Sequence, residues 1–134
     1  MRAVQDQTRL EIARTAVEQV LVDWRRHGGP RADVRLWLNA DSEVCIWVNG
    51  GGTTPSAWGD TPSELATSVA EHLHAELMDH AHRVLPLCPD HRCGLHPTVT
   101  DHGPAWRCTA GNHTIGHVGN LPRSDGDLDR HDLR

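Results

Sequence analysis

The stretch "LPLCPDHRCGLHPTVTDHGPAWRCTAGNHTIGH", residues 85–117, holds three of the chain's four cysteines and five of its eleven histidines. A tetrahedral zinc ion takes four soft or borderline ligands, usually offered as two short pairs on tight turns across a longer spacer. Cys88 and His91 form one such pair, C-x-x-H, with Pro89 stiffening the turn. Cys108 and His113 form the other, C-x-x-x-x-H, with Gly111 and Asn112 as turn residues. Sixteen residues separate the pairs, and within them "PTVT" and "PAWRC" read as two short strands joined at "DHG". The pattern predicts a zinc ribbon with Cys88, His91, Cys108 and His113 as metal ligands. The frame is not unique, because Cys93 and His96 repeat the C-x-x-H spacing. Cys93 in place of His91 has equally plausible chemistry, and His96 is a further alternate. The competing reading is a His-rich chain whose surface imidazoles and buried thiols fall near one another by chance.

Upstream, "TPSELATSVAEHLHAELMDHAHRVL" (61–85) opens with Thr61 as cap, Pro62 at the first helical position and Glu64 to complete a capping box. Leu65, Val69, Leu73, Leu77, Ala81 and Val84 recur as one apolar stripe. The helix is expected to run to about Leu85, where Pro86 disfavours helical geometry, and to hand the chain straight to Cys88. His72, Glu76 and His80 follow at four-residue steps with Asp79 beside them. They are candidates for a second metal or a base, and equally for a core-edge histidine bonded to Glu76. Helical angles place His80 within the apolar face and give His74 and His82 no role.

Before that, "TRLEIARTAVEQVLVDWRRHGGP" (8–30) reads as a helix started by Thr8 and Glu11, with Leu10, Ala13, Val17, Val20, Leu21 and Trp24 on one face. Gly28, Gly29 and Pro30 end it. "DVRLWLNADSEVCIWVNGGG" (33–52) alternates with period two around the turn "NADS", which predicts a β-hairpin. Val34, Leu36, Leu38, Val44, Ile46 and Val48 share one face, so Arg35, Trp37, Cys45 and Trp47 take the other. Cys45 is therefore expected as a half-buried strand residue. "NGGGTTPSAWGD" (49–60) has glycines but no lysine after them, so a phosphate loop gives way to a plain connector. "RSDGDLDRHDLR" (123–134) is polar and aperiodic, as a disordered tail would be.

With 134 residues the chain fits one small domain or a domain with a satellite. There is no Phe or Tyr, so five Trp and the aliphatics must supply the core. All 13 basic residues are Arg, which suggests a GC-rich bacterial genome. The net charge of −5 argues against broad capture of a phosphate backbone. Neither a signal-peptide pattern nor a membrane-length apolar run is present, so a cytoplasmic location is expected, where clustered Cys and His read as metal ligands more readily than as disulfides.

"CPDH", then "HP", then "W-x-C", then "IGHVGNL" resembles the C-terminal segment of small, uncharacterised proteins of high-GC actinobacteria. In those a helix, two strands and a helix precede a zinc-ribbon-like ending. The likeness covers residues 86–121 and is only architectural before them. It implies a bacterial cytosolic protein with a metal site and no particular activity. Here "RCGLHP" is richer in ligands than that pattern, which keeps Cys93 and His96 open.

"HAE" (74–76) followed by "CPDH" superficially matches the zinc deaminase signature, but only eleven residues lie between Glu76 and Cys88 and the motif falls inside a helix. No nucleophile motif stands out either. The expected architecture is α+β: a helix, hairpin, helix and strand unit over 1–85, a zinc ribbon over 86–122 and the tail over 123–134. The expected role is that of an adaptor or regulatory module that binds another protein, its zinc structural, with Trp58 and Trp106 as anchors if exposed. Nucleic-acid binding by the ribbon would need Arg25, Arg26, Arg83, Arg92 and Arg107 on one face. A metal-dependent enzyme would need an open coordination position.

Overall fold

A computed structural model describes residues 2–49 and 59–122, with residues 2–4 as backbone only. The expected connector over 50–58, including Trp58, and the expected tail over 123–134 lie outside the described residues.

The first helix, α1, spans Arg2–Arg26. It starts upstream of Thr8, which therefore sits within the helix and caps nothing. The preceding Arg, Ala and Gln residues are good helix formers with no Gly or Pro among them, so the helix propagates back through the cap signal. Its buried face is Ala13, Ala16, Val17, Val20, Asp23 and Trp24, while Leu10 and Leu21 are only half-buried. Gly28 ends the helix region at φ +88°, a conformation that L side chains adopt at a cost. The Trp24 indole then donates to the Pro30 carbonyl at 2.9 Å, turning the chain back.

Strands β1 (Val34–Leu38) and β2 (Val44–Val48) form the expected antiparallel hairpin. Val34 faces Val48, Leu36 faces Ile46 and Leu38 faces Val44. The "NADS" turn closes as read: Asn39 Oδ1 accepts from the Asp41 and Glu43 amides at 2.9 and 3.0 Å. Cys45 is more buried than expected, only 3% exposed. Trp37 lies across the ladder from it and Trp47 two residues on, both large enough to shade a thiol.

Helix α2 spans Pro62–Ala81 and begins with the capping box of Thr61 and Glu64. It stops short of Leu85, because His82 turns left-handed at φ 53° and donates its amide to the Met78 carbonyl. Val84 consequently leaves the apolar stripe and stands 56% exposed. The helix is buried on two sides. Leu65, Val69, Leu73 and Leu77 form the expected stripe, and Thr67, Ala70 and His74 form a second. The reason is its position: α2 touches α1 and β2 as well as the C-terminal strands.

Those strands are β3 (Leu95–Thr100), β4 (Gly103–Cys108) and β5 (His113–His117), in the antiparallel order β3-β4-β5. The first two are the expected ribbon strands; the third begins at His113. One buried cluster runs through the whole described structure and includes Trp24, Ile46, Leu73, Leu95, Trp106, Val118 and Leu121 together with Cys88 and Cys108.

Asp23 joins the two halves. Fully buried on α1, it accepts hydrogen bonds from Trp106 Nε1 at 2.7 Å, the Gly119 amide at 2.6 Å and the Leu121 amide at 3.2 Å. Among the described residues no helix is long and apolar enough to cross a membrane.

Candidate metal centre

Two turns build the site. The first follows the Leu85–Pro86 peptide, which is cis. Here the Cys88 amide donates to the Cys93 carbonyl and the Arg92 amide to the Cys88 carbonyl, each at 2.8 Å, with Arg92 left-handed at φ 58°. A bridge between Leu87 and Gly94 closes its base. This folds Cys88 inward, 1% exposed, and leaves His91 over it, exposed. The second turn joins β4 to β5 at the paired residues Cys108 and His113. Gly111 in that turn lies against both imidazoles: a Cβ there would overlap the His91 ring and come within 2.9 Å of His113 Cδ2. The Gly111 amide also donates to Cys108 Sγ at 3.3 Å.

The result is a cluster of four ligand atoms, from Cys88, His91, Cys108 and His113, all within 4.8 Å of one another. Cys88 Sγ lies 3.5 Å from His91 Nδ1 and 3.6 Å from His113 Nε2, and Cys108 Sγ lies 3.5 Å from His91 Nδ1. A zinc ion about 2.3 Å from sulfur and about 2.0–2.1 Å from nitrogen, at tetrahedral angles, sets sulfur and nitrogen about 3.5–3.6 Å apart. Three of the four sulfur to nitrogen edges have this length. The imidazoles stand edge to face, 87° between planes, so they approach the centre from different directions. Both sulfurs lie on the core side and the imidazoles on the outer side. This is a possible metal-binding site whose donors suit zinc.

The other sulfur and histidines fall differently. Cys93 Sγ is 3.0 Å from Cys108 Sγ but is not among the four clustered atoms. His96 is exposed on β3 opposite Arg107. Its ring centroid is 6.3 Å from that of His74. On α2, His80 is exposed rather than within the apolar face, and its Nε2 lies 3.6 Å from Glu76 Oε2, both partly exposed. Among the described residues, His72, Glu76 and His80 do not meet as a ligand cluster.

Among the described histidines the buried one is His74, 2% exposed. Its Nε2 bonds the Leu85 carbonyl at 2.6 Å, and its ring meets Trp106 edge on at 4.9 Å. Burial above all, with His96 nearby, lowers its pKa to about 4 against the opposing effect of the Leu85 carbonyl. An accepting carbonyl beside a neutral ring identifies Nε2 as the protonated nitrogen. His74 therefore ties α2 to the entry of the first turn. The second apolar stripe at Thr67 and Ala70 is the signal in the sequence that marks this position.

Trp106 is fully buried, so it packs the ribbon and offers no surface anchor. Trp37, by contrast, is 43% exposed, and Arg35 stacks over the Trp47 ring at 4.8 Å on the same hairpin face. Two open grooves, of about 520 and 420 Å³, run beside α1 and the start of α2, away from the four ligand atoms.

No protein-family model matches the chain, and neither the curated proteins nor the solved structures contain a significant match.

Proposed function

We propose that Cys88, His91, Cys108 and His113 bind one zinc ion whose role is structural, and that the chain acts as a protein-binding adaptor or regulatory module. The observation that carries the zinc reading is that three of the four sulfur to nitrogen edges measure 3.5–3.6 Å, the separation that tetrahedral zinc coordination sets. Four protein ligands fill a tetrahedron and leave no position for a reacting water. The ion would tie the two turns to each other at the edge of the core that the C-terminal strands share with the helices.

Elemental analysis of the purified, reduced chain tests the reading: one zinc per chain is expected, and Cys108→Ser should lose it. A stoichiometry near zero in the presence of added zinc would sink it. Loss of zinc in Cys93→Ser with retention in His91→Ala would move the fourth ligand to Cys93.

The interaction role is supported by the exposed Trp37 and by the Arg35 and Trp47 pair beside it, since indoles and guanidinium groups concentrate binding energy at interfaces. Trp37→Ala should weaken a defined partner complex while leaving zinc content and thermal stability unchanged. Nucleic-acid binding is less well supported. Arg83 donates to the Gly28 carbonyl at 2.9 Å, Arg25 to the Leu21 carbonyl at 3.2 Å, and Arg107 to Asn112. Retention on heparin at low salt with a steep salt dependence would restore it.

A further inference from the structure

We infer that Cys93 and Cys108 form an oxidisable dithiol that controls the metal site, an inference that rests on the zinc reading above. Cys93 Sγ stands 3.0 Å from Cys108 Sγ, whereas the neighbours of Cys88 Sγ are the two imidazoles. The chain brings the two sulfurs together from opposite sides: Cys93 closes the first turn through its carbonyl, and Cys108 ends β4. Their exposures differ in a useful way. Cys108 is fully buried, while Cys93 is partly open and sits at the rim of the core. Cys93 is thus the sulfur that a small oxidant reaches, and Cys108 the one held against it to receive the product.

The chemistry balances with a peroxide as oxidant. Hydrogen peroxide converts the Cys93 thiol to a sulfenic acid, and one water leaves. The Cys108 thiolate then attacks the Cys93 sulfur, a sulfur to sulfur bond forms, and hydroxide departs. The two sulfurs have together lost two electrons to the peroxide. Cys108 no longer has a free thiolate to give, so the metal set falls from four ligands to Cys88, His91 and His113. Zinc affinity falls with it, and a thiol reductant restores both. The fourth cysteine has no part in this: Cys45 lies in the hairpin, with Sγ against the Glu43 carbonyl at 3.7 Å.

The zinc-loaded, reduced full chain is treated with hydrogen peroxide while a chromogenic zinc indicator follows release, and the products are alkylated and mapped by mass spectrometry. The expected result is release of the bound zinc together with a crosslinked Cys93 to Cys108 peptide, both reversed by a thiol reductant. Cys93→Ser should hold zinc normally when reduced and release it about tenfold more slowly under peroxide, because the buried Cys108 loses its accessible partner. Cys45→Ser should behave as the parent. Release from Cys93→Ser as fast as from the parent, or a disulfide mapped to Cys88, would overturn the dithiol while leaving the zinc site intact. Failure of the reduced parent to hold zinc would overturn the zinc reading itself, and zinc release with it. Loss of zinc from reduced Cys93→Ser alone would make Cys93 a resident ligand and overturn its role as the sensor.

Discussion

Asp23 and His74 show how single polar residues fix the relation of the helices to the C-terminal sheet. An acid on an apolar helix face is costly unless its oxygens are satisfied. Asp23 meets that cost with three donors, two of them main-chain amides near the end of the described chain. Hydrogen bonds to a charged group contribute about 1.5–3 kcal/mol, and buried donors left behind add their own desolvation cost. Asp23→Ala should therefore destabilise the fold by about 3 kcal/mol or more in chemical denaturation, and a change below about 1 kcal/mol would contradict this account. His74 makes the opposite choice and stays neutral. Its folded pKa of about 4 lies below the ordinary 6.5, so between those values the unfolded chain takes up a proton that the folded chain refuses. The contribution is complete above pH 6.5 and lost as pH falls toward 4, a difference of roughly 3 kcal/mol. A histidine ring resonance with a midpoint near pH 4, absent in His74→Gln, is the expected signature in NMR titration. A His74 midpoint above 6 would contradict the burial described here.

At the scale of elements, the hairpin, the cap of α2 and strands β3 and β4 could be read directly, because each is written in local chemistry: alternation, a capping box, turn residues. The spacings on either side of a strand pair also put Cys88, His91, Cys108 and His113 forward as one set beside the alternates Cys93 and His96, and the structure clusters that set. What escaped depended on tertiary context. The true start of α1 was masked by Thr8, since a cap signal inside a run of helix formers does not stop the helix. Helix α2 ends before the position Pro86 suggests, because His82 adopts a left-handed turn that its identity does not announce. The second buried face of α2 exists only because another layer covers it. Strand β5 is too short and too rich in Gly and His to show alternation. Gly111 looked like turn chemistry alone, yet its lack of a side chain is what lets His91 and His113 close together. Gly111→Ala should lower zinc affinity by about tenfold or more in competition with a chelator, as disturbance of a supporting neighbour does elsewhere. Unchanged affinity would show that the turn has room to spare.

For the whole molecule, the decisive fact is that Cys88 and Cys108 belong to the same buried cluster as Trp24, Ile46 and Leu73. A metal held at the edge of a shared core is coupled to all of it. Chelation should therefore lower the melting temperature of the entire fold, with amide exchange accelerating in α2 as well as in β3 to β5. Faster exchange confined to residues 86–122 would instead describe an independent ribbon. The contacts of Asp23 add a consequence for biosynthesis. Its partners lie 83 to 98 residues further along the chain, and a ribosome adds about 5–20 residues per second. The carboxylate of α1 must then stay hydrated for on the order of 5 to 20 seconds before its donors are made. During translation the first helix can meet the hairpin and α2, but its final bonds form only as the last described residues clear the exit tunnel.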